Sequence, residues 1–192
     1  MCDTAKRGTL FVYSGASGVG KGTIMKKLVE RDKSICLSVS ATTREPREGE
    51  INGVHYWFVS REEFDKMIDD DGFMEYATYC NNYYGTPKKA VEEKLAQGFN
   101  VFLEIEVKGA LNIIEKYPDC VSIFVLPPSF ETLEKRLRLR NTETEEQIRN
   151  RLETAMREIK LSEVYDYTVV NDDLDKAVED VLSIVKEVTG KE

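Results

Sequence analysis

Two rhythms of apolar and polar positions alternate along the chain. Short apolar runs of strand length give way to stretches whose apolar residues stand three and four apart, the spacing of one helix face. Thr9 to Ser14 is a compact apolar run closed by Gly15, and it predicts a buried strand. The segment KGTIMKKLVER that follows Gly20 carries Ile24, Leu28 and Val29 at helical spacing. Ile35 to Ala41 alternates apolar residues with serine and predicts a second strand, and TTREPREGEING reads as a polar loop. Val54 to Val59 and Phe73 to Cys80 predict further strands, with REEFDKMIDD as a helix between them.

From Pro87 the alternation becomes regular. PKKAVEEKLAQG is a helix with proline at its start and Gly98 just past its end. VFLEIE predicts a strand, VKGALNIIEKY a helix, and the β-branched CVSIFVL another strand. SFETLEKRLRLR is a helix with Ser129 as its N-cap. TETEEQ offers two overlapping capping boxes, Thr142 with Glu145 and Thr144 with Gln147. The next helix sets Ile148, Leu152, Met156 and Ile159 on one face, and YTVVN and DLDKAVEDVLSIVKEV close the pattern as strand and helix. Strands alternating with helices imply an α/β chain, a mainly parallel sheet covered by helices on both faces. Residues from about 40 to 86 and from about 129 to 151 break that rhythm.

Composition narrows the function. With 192 residues, 41% hydrophobic and 32% charged, the chain suits one domain with a real core and a solvated surface. The net charge of −8 argues against general affinity for nucleic acid or anionic membrane. No apolar run is long enough to span a bilayer. In MCDTAKRGTLFVYSG the apolar stretch is cut short by Ser14 and Gly15, so no signal peptide is expected. The four cysteines contain no CxxC pair, which predicts reduced thiols in a cytoplasm rather than a metal site or a disulfide framework. A single histidine, His55, leaves one candidate for imidazole chemistry, and it reads as a surface loop residue.

The segment GASGVGKGT lies between a predicted strand and a predicted helix. Gly15, Ala16, Ser17, Gly18, Val19, Gly20, Lys21, Gly22 and Thr23 therefore form a candidate phosphate cradle. Its glycines let successive N–H groups face one anion, the helix start adds a positive dipole end, and Lys21 brings a full charge. The position after the lysine, where a hydroxyl would bind Mg²⁺ directly, is Gly22, so the metal is expected to keep more of its water shell. Arg44 and Arg47, three residues apart beside a prolyl turn, and Tyr56 are the donors that a second phosphate would need. On spacing alone the same residues suit a solvated mixed-charge loop equally well.

At this block the sequence resembles guanylate kinase. The pattern Ser-x-Thr-Thr-Arg-x-Pro-Arg-x-Gly-Glu, with a tyrosine six residues later, is met from Ser40 to Tyr56. EYATYCNNYYGTP, LPPSFETLEKRLRLRNTETEEQIRNRL and VVNDDLDKA extend the resemblance from about Thr9 to Val185. It implies a P-loop nucleoside monophosphate kinase fold in one domain. The core would be residues 1–37, 87–128 and 152–192, with a GMP-binding insertion at about 38–86 and a helical lid at about 129–151. Arg44, Arg47, Tyr56 and Tyr84 would hold the GMP phosphate; Ser40, Glu75 and Thr86 would read the base, with Glu50 in support and Glu104 beside the nucleotide. One carboxylate can accept both N1–H and N2–H₂ of guanine, whereas adenine presents a bare acceptor at N1. Glu75 is therefore the expected selectivity residue, although on strand alternation alone it would point outward.

The resemblance also assigns Arg140 and Arg151 to the lid and to catalysis, together with Lys21 and Arg44. Arg136 would flank the ATP base or phosphates and Asn171 would touch adenine, Asn171 being equally readable as a helix cap. Glu104 and Glu106 alternate along LEIE and would meet Mg²⁺, through water, by one or the other. The implied reaction moves the γ-phosphoryl group of ATP onto GMP, and onto dGMP, for recycling in purine nucleotide metabolism. It needs only these small-molecule substrates and Mg²⁺, without an obligate protein partner. A binding-only scaffold domain is the main competing class, but such domains typically lack parts of the phosphate loop, which is complete here. Kinases of other monophosphates would share the cradle without the Ser40–Tyr56 block.

Overall fold

The computed structural model describes residues 6–79, 81–139 and 144–190. Its centre is a five-stranded, all-parallel sheet formed by β1 (Leu10–Gly15), β2 (Ile35–Leu37), β7 (Asn100–Glu104), β8 (Val121–Leu126) and β9 (Tyr167–Val170). The order β2-β7-β1-β8-β9 puts β1 in the middle. Side-chain alternation covers both faces. Phe11, Tyr13, Phe102, Ile123 and Val125 point to one core, closed by α1 (Lys21–Arg31) and α7 (Leu174–Thr189). Val12, Val101, Leu103 and Phe124 point to the other, closed by α3 (Lys88–Ala96) and α4 (Val107–Lys116). The three central strands, continuous and apolar, are thus buried on two sides.

A second, four-stranded sheet is built from the irregular segment, in the order β4-β3-β6-β5. It comprises β3 (Ala41–Thr42), β4 (Trp57–Phe58), β5 (Phe73–Tyr79) and β6 (Asn82–Pro87), and packs on α2 (Arg61–Asp69) through Phe64, Phe73 and Ala41. Ser60 caps α2 in a capping box with Glu63. The run Ile35–Ala41, expected as one strand, divides between the two sheets: Ile35 to Leu37 pair with β7, and Ala41 pairs with Trp57 and Gly85. The expected Val54–Val59 strand shortens to Trp57–Phe58. β6 was not expected. It returns beside β5 with Tyr79 opposite Asn82, and Asn81 takes the left-handed conformation (φ 62°) that asparagine tolerates in a tight turn.

Two further helices, α5 (Phe130–Leu139) and α6 (Glu145–Lys160), pack on each other through Leu133, Leu137, Ile148 and Ala155. Ser129 Oγ accepts the amide of Thr132, as expected of an N-cap. Thr144 realises its capping box with Gln147, while Thr142 lies outside the described residues. Met156, placed by periodicity on the apolar face, is 51% exposed; Ala155 takes the buried position. Among the described residues, no helix is long and apolar enough to cross a membrane. Cys36 and Cys120 are free thiols, and Cys2 and Cys80 lie outside the described residues.

Candidate active site

The phosphate loop leaves β1 at Gly15 and enters α1 at Lys21. Gly18 and Gly20 have φ of 86° and 97°, a region that side chains disfavour. Space demands glycine there as well, since a Cβ on Gly18 would stand 2.6 Å from Leu137 Cδ2 and one on Gly20 2.7 Å from Asn171 Nδ2. The α5 helix and the end of β9 therefore press directly on the loop, and fully buried Ala16 joins the α5–α6 core. Lys21 folds over the loop, its Nζ donating to Gly15 O at 2.6 Å and Ala16 O at 3.3 Å. Burial pulls the ammonium below its usual pKa, opposed by the carboxylates of Glu104, Glu158 and Glu106.

Asn171 is buried and donates from Nδ2 to the carbonyl of Val19 at 2.7 Å. The capping alternative for Asn171 is thereby removed, because Asp173 is the N-cap of α7. Arg136 reaches the same Val19 carbonyl at 3.5 Å. The amide of Ser17, one of the cradle's donors, points at Glu158 Oε2 at 3.4 Å. Gly22 faces Glu104, whose Oε1 would lie 3.6 Å from a Cβ at that position, and Thr23 is exposed.

Arg44 and Glu50 form a two-pronged ion pair, Nη1 to Oε2 at 3.0 Å and Nη2 to Oε1 at 2.9 Å. The backbone amide of Arg47 adds a third bond to Glu50 Oε2 at 2.7 Å. These donors hold the Glu50 carboxyl at about 2, first through the Arg44 guanidinium and then through that amide. Arg44 also lies over the rings of Tyr56 and Phe58, at 5.4 and 5.7 Å, and Tyr56 meets Tyr84 edge-on at 6.0 Å. Burial pushes the Tyr56 hydroxyl above its ordinary pKa. The Arg47 side chain is exposed.

Two cavities open side by side along the C-terminal edge of the main sheet, where ligands of parallel sheets bind. The first, about 360 Å³, is lined by Gly15, Ser17, Lys21, Ser38, His55 and Glu158 among others. The second, about 620 Å³, runs under the second sheet past Glu75, Tyr84, Lys108 and Asn112. Ser40, Tyr56, Glu104, Ile105 and Glu106 belong to both. Glu75 points into the second cavity, with Oε1 accepting the hydroxyl of buried Thr86 at 2.9 Å. Burial raises the pKa of Glu75, and Thr86 opposes the shift. The strand carrying Glu104 ends at that residue, so Glu106 is the N-cap of α4 rather than a strand neighbour. Both acids nevertheless reach the shared wall. Arg151 is half-buried on α6, and Arg140 lies outside the described residues.

A phosphate loop and a second cavity holding a buried acid, sharing one wall, suit a two-nucleotide enzyme, and residues 7–188 match the family described as guanylate kinase. The chain belongs to the guanylate kinase family. Among curated relatives, the guanylate kinase of Prochlorococcus marinus subsp. pastoris is 52% identical over 177 residues, covering 92% of this chain and 96% of that protein. That of Caldanaerobacter subterraneus subsp. tengcongensis is 50% identical over 180 residues, covering 94% and 87%. The crystal structure of guanylate kinase from Anaplasma phagocytophilum superposes with a TM-score of 0.75 at 34% identity, covering 95% of this chain and 86% of that one. The fold is accordingly the α/β nucleoside monophosphate kinase fold.

Within this guanylate kinase site, sequence reasoning missed Glu158, Ser38, Lys108 and Asn112. Each sits in a stretch whose pattern already explained it, and only the packing of that stretch against another brings it to a cavity wall. His55, read as a surface loop residue, is exposed but lines the first cavity, its Nδ1 accepting the amide of Ile51 at 3.0 Å.

Proposed function

We propose that the chain transfers the γ-phosphoryl group of ATP to GMP, yielding ADP and GDP. The observation that carries this reading is the pair of cavities joined at Ser40, Tyr56, Glu104, Ile105 and Glu106. One is headed by the Lys21 loop, and the other is closed by an acid poised for a base. In this reading the loop amides from Gly15 to Thr23 and Lys21 hold the ATP phosphates, with Arg136 and Asn171 bracing the loop beside the nucleotide. Arg44, Arg47, Tyr56 and Tyr84 hold the GMP phosphate, and Glu50 keeps Arg44 aimed. Glu75, with Ser40 and Thr86, accepts the N1–H and N2–H₂ edge of guanine. Adenine has no such donor pair, so the carboxylate oxygen not held by Thr86 would lack a donor, at a cost of about 1–3 kcal/mol or more.

The GMP phosphate has a second pKa of about 6, so its attacking oxygen is ionised at neutral pH and needs no general base. The obstacle is the meeting of two polyanions. Lys21, Arg44, Arg151 and Arg140 neutralise that repulsion and the charge spread over the transferring group. Residues at about 38–86 form the GMP-binding insertion and residues at about 129–151 the lid, carried on the core formed by the rest. Closing them excludes water that would hydrolyse ATP.

Mg²⁺ fits this site as a passenger on the nucleotide. Among the described residues, no three His, Cys, Asp or Glu side chains converge to hold a metal, and the acids at the shared wall are hard oxygen donors. A cation held mainly by phosphates and water, steered by Glu104 and Glu106, suits that set. When bound, it neutralises charge on the outer phosphates. The test is ADP release with ATP, Mg²⁺ and each nucleoside monophosphate in turn. GMP is expected to support turnover far above AMP, CMP or UMP, and a folded protein inert toward GMP removes the proposal.

A further inference from the structure

Gly109 is the third residue of α4 and is buried, with ordinary helical backbone rather than a positive φ. Nothing in the local conformation calls for glycine, which in a helix costs about 1 kcal/mol relative to alanine. What it provides is room. A Cβ at this position would lie 2.9 Å from Glu75 Oε2, 3.4 Å from Cδ and 3.8 Å from Cγ. The other oxygen of the same carboxylate is tied to Thr86 on β6 at 2.9 Å. The acid is thus set between a hydroxyl on one side and the bare backbone of a helix on the other, and Gly109 itself lines the cavity.

We infer that Gly109 is a positioning residue for base recognition, whose missing side chain sets where the Glu75 carboxylate stands. The inference rests on the guanine reading of Glu75 and deepens it. The atom a methyl group would displace is the free end of a flexible side chain, so the protein can accommodate Gly109→Ala by moving the carboxylate. What yields is the group that selects the substrate. The variant therefore separates folding from recognition, because alanine favours the helix while displacing the acid.

The experiment compares wild type, Gly109→Ala, Glu75→Gln and the double variant by thermal unfolding and steady-state kinetics. Gly109→Ala is expected to unfold at or above the wild-type temperature. Its KM for GMP should rise by roughly tenfold or more, with KM for ATP within about twofold and the preference for GMP over AMP reduced. In the Glu75→Gln background the added alanine should change KM for GMP by less than about twofold, because the group it displaces has already lost its role. A lowered unfolding temperature, a parallel rise in both KM values, an unchanged KM for GMP, or equal effects in both backgrounds overturns the inference. If the wild type itself does not phosphorylate GMP, it is the guanine reading that fails.

Discussion

Arg44 and Glu50 grip each other through both terminal guanidinium nitrogens and both carboxylate oxygens, at 3.0 and 2.9 Å, with both side chains largely covered. A planar fork matched to a planar carboxylate fixes direction as well as distance. In this pair the arginine is left stacked over Tyr56 and Phe58, so its position is set before any anion arrives.

Glu50→Gln keeps the shape and removes the charge, so KM for GMP should rise several-fold while KM for ATP stays near wild type. Acid provides a second check. The carboxyl is held at about 2, against an ordinary value of 4.5, so the folded state binds this proton less readily than the unfolded chain. Its contribution is complete above pH 4.5 and is lost progressively as pH falls toward 2. A carbon-detected NMR titration should find Glu50 still ionised at pH 3.5. A midpoint near 4.5 would dissolve the proposed clamp.

Lys21→Ala removes the full positive charge that the loop itself carries. Turnover should fall by about 10²–10³ or more, the scale for losing a preorganised stabiliser of transition-state charge. Circular dichroism should remain that of a folded α/β protein. Near-normal turnover would exclude the lysine from the chemistry.

Asn171→Ala deletes a buried hydrogen bond to Val19 and leaves that carbonyl the longer contact from Arg136. The protein should lose about 1–3 kcal/mol of stability. On the proposed reading the loop it braces holds ATP, so KM for ATP should rise more than KM for GMP. A selective effect on GMP would contradict this geometry.

Glu158 brings a carboxylate to the amide of Ser17 and close to Lys21, where an anion of the nucleotide would otherwise lie. Glu158→Gln should therefore tighten ATP binding, measured by calorimetry without GMP, by roughly three- to tenfold, on the order of 1 kcal/mol for one like charge removed. Weaker binding would show instead that the acid assists the cradle.

The alternation of strands and helices, the Gly15–Thr23 loop and the Ser40–Tyr56 block are all legible in the sequence, because each is a local pattern. Strand and helix periodicity, glycine-rich turns and capping depend on residues a few positions apart. The sequence therefore determined the fold class, the phosphate loop and the family likeness. Even so, the Ile35–Ala41 run could not reveal that it divides between two sheets, since the partners that split it, Asn100 and Gly85, are remote in the chain. Only the tertiary structure decided that Asn171 braces Val19, across 152 residues, that Glu158 reaches Ser17, and that Gly109 makes way for Glu75. Contacts of that kind arise when separate elements pack against each other. A residue's own neighbours carry no record of which distant atom will fill the space beside it.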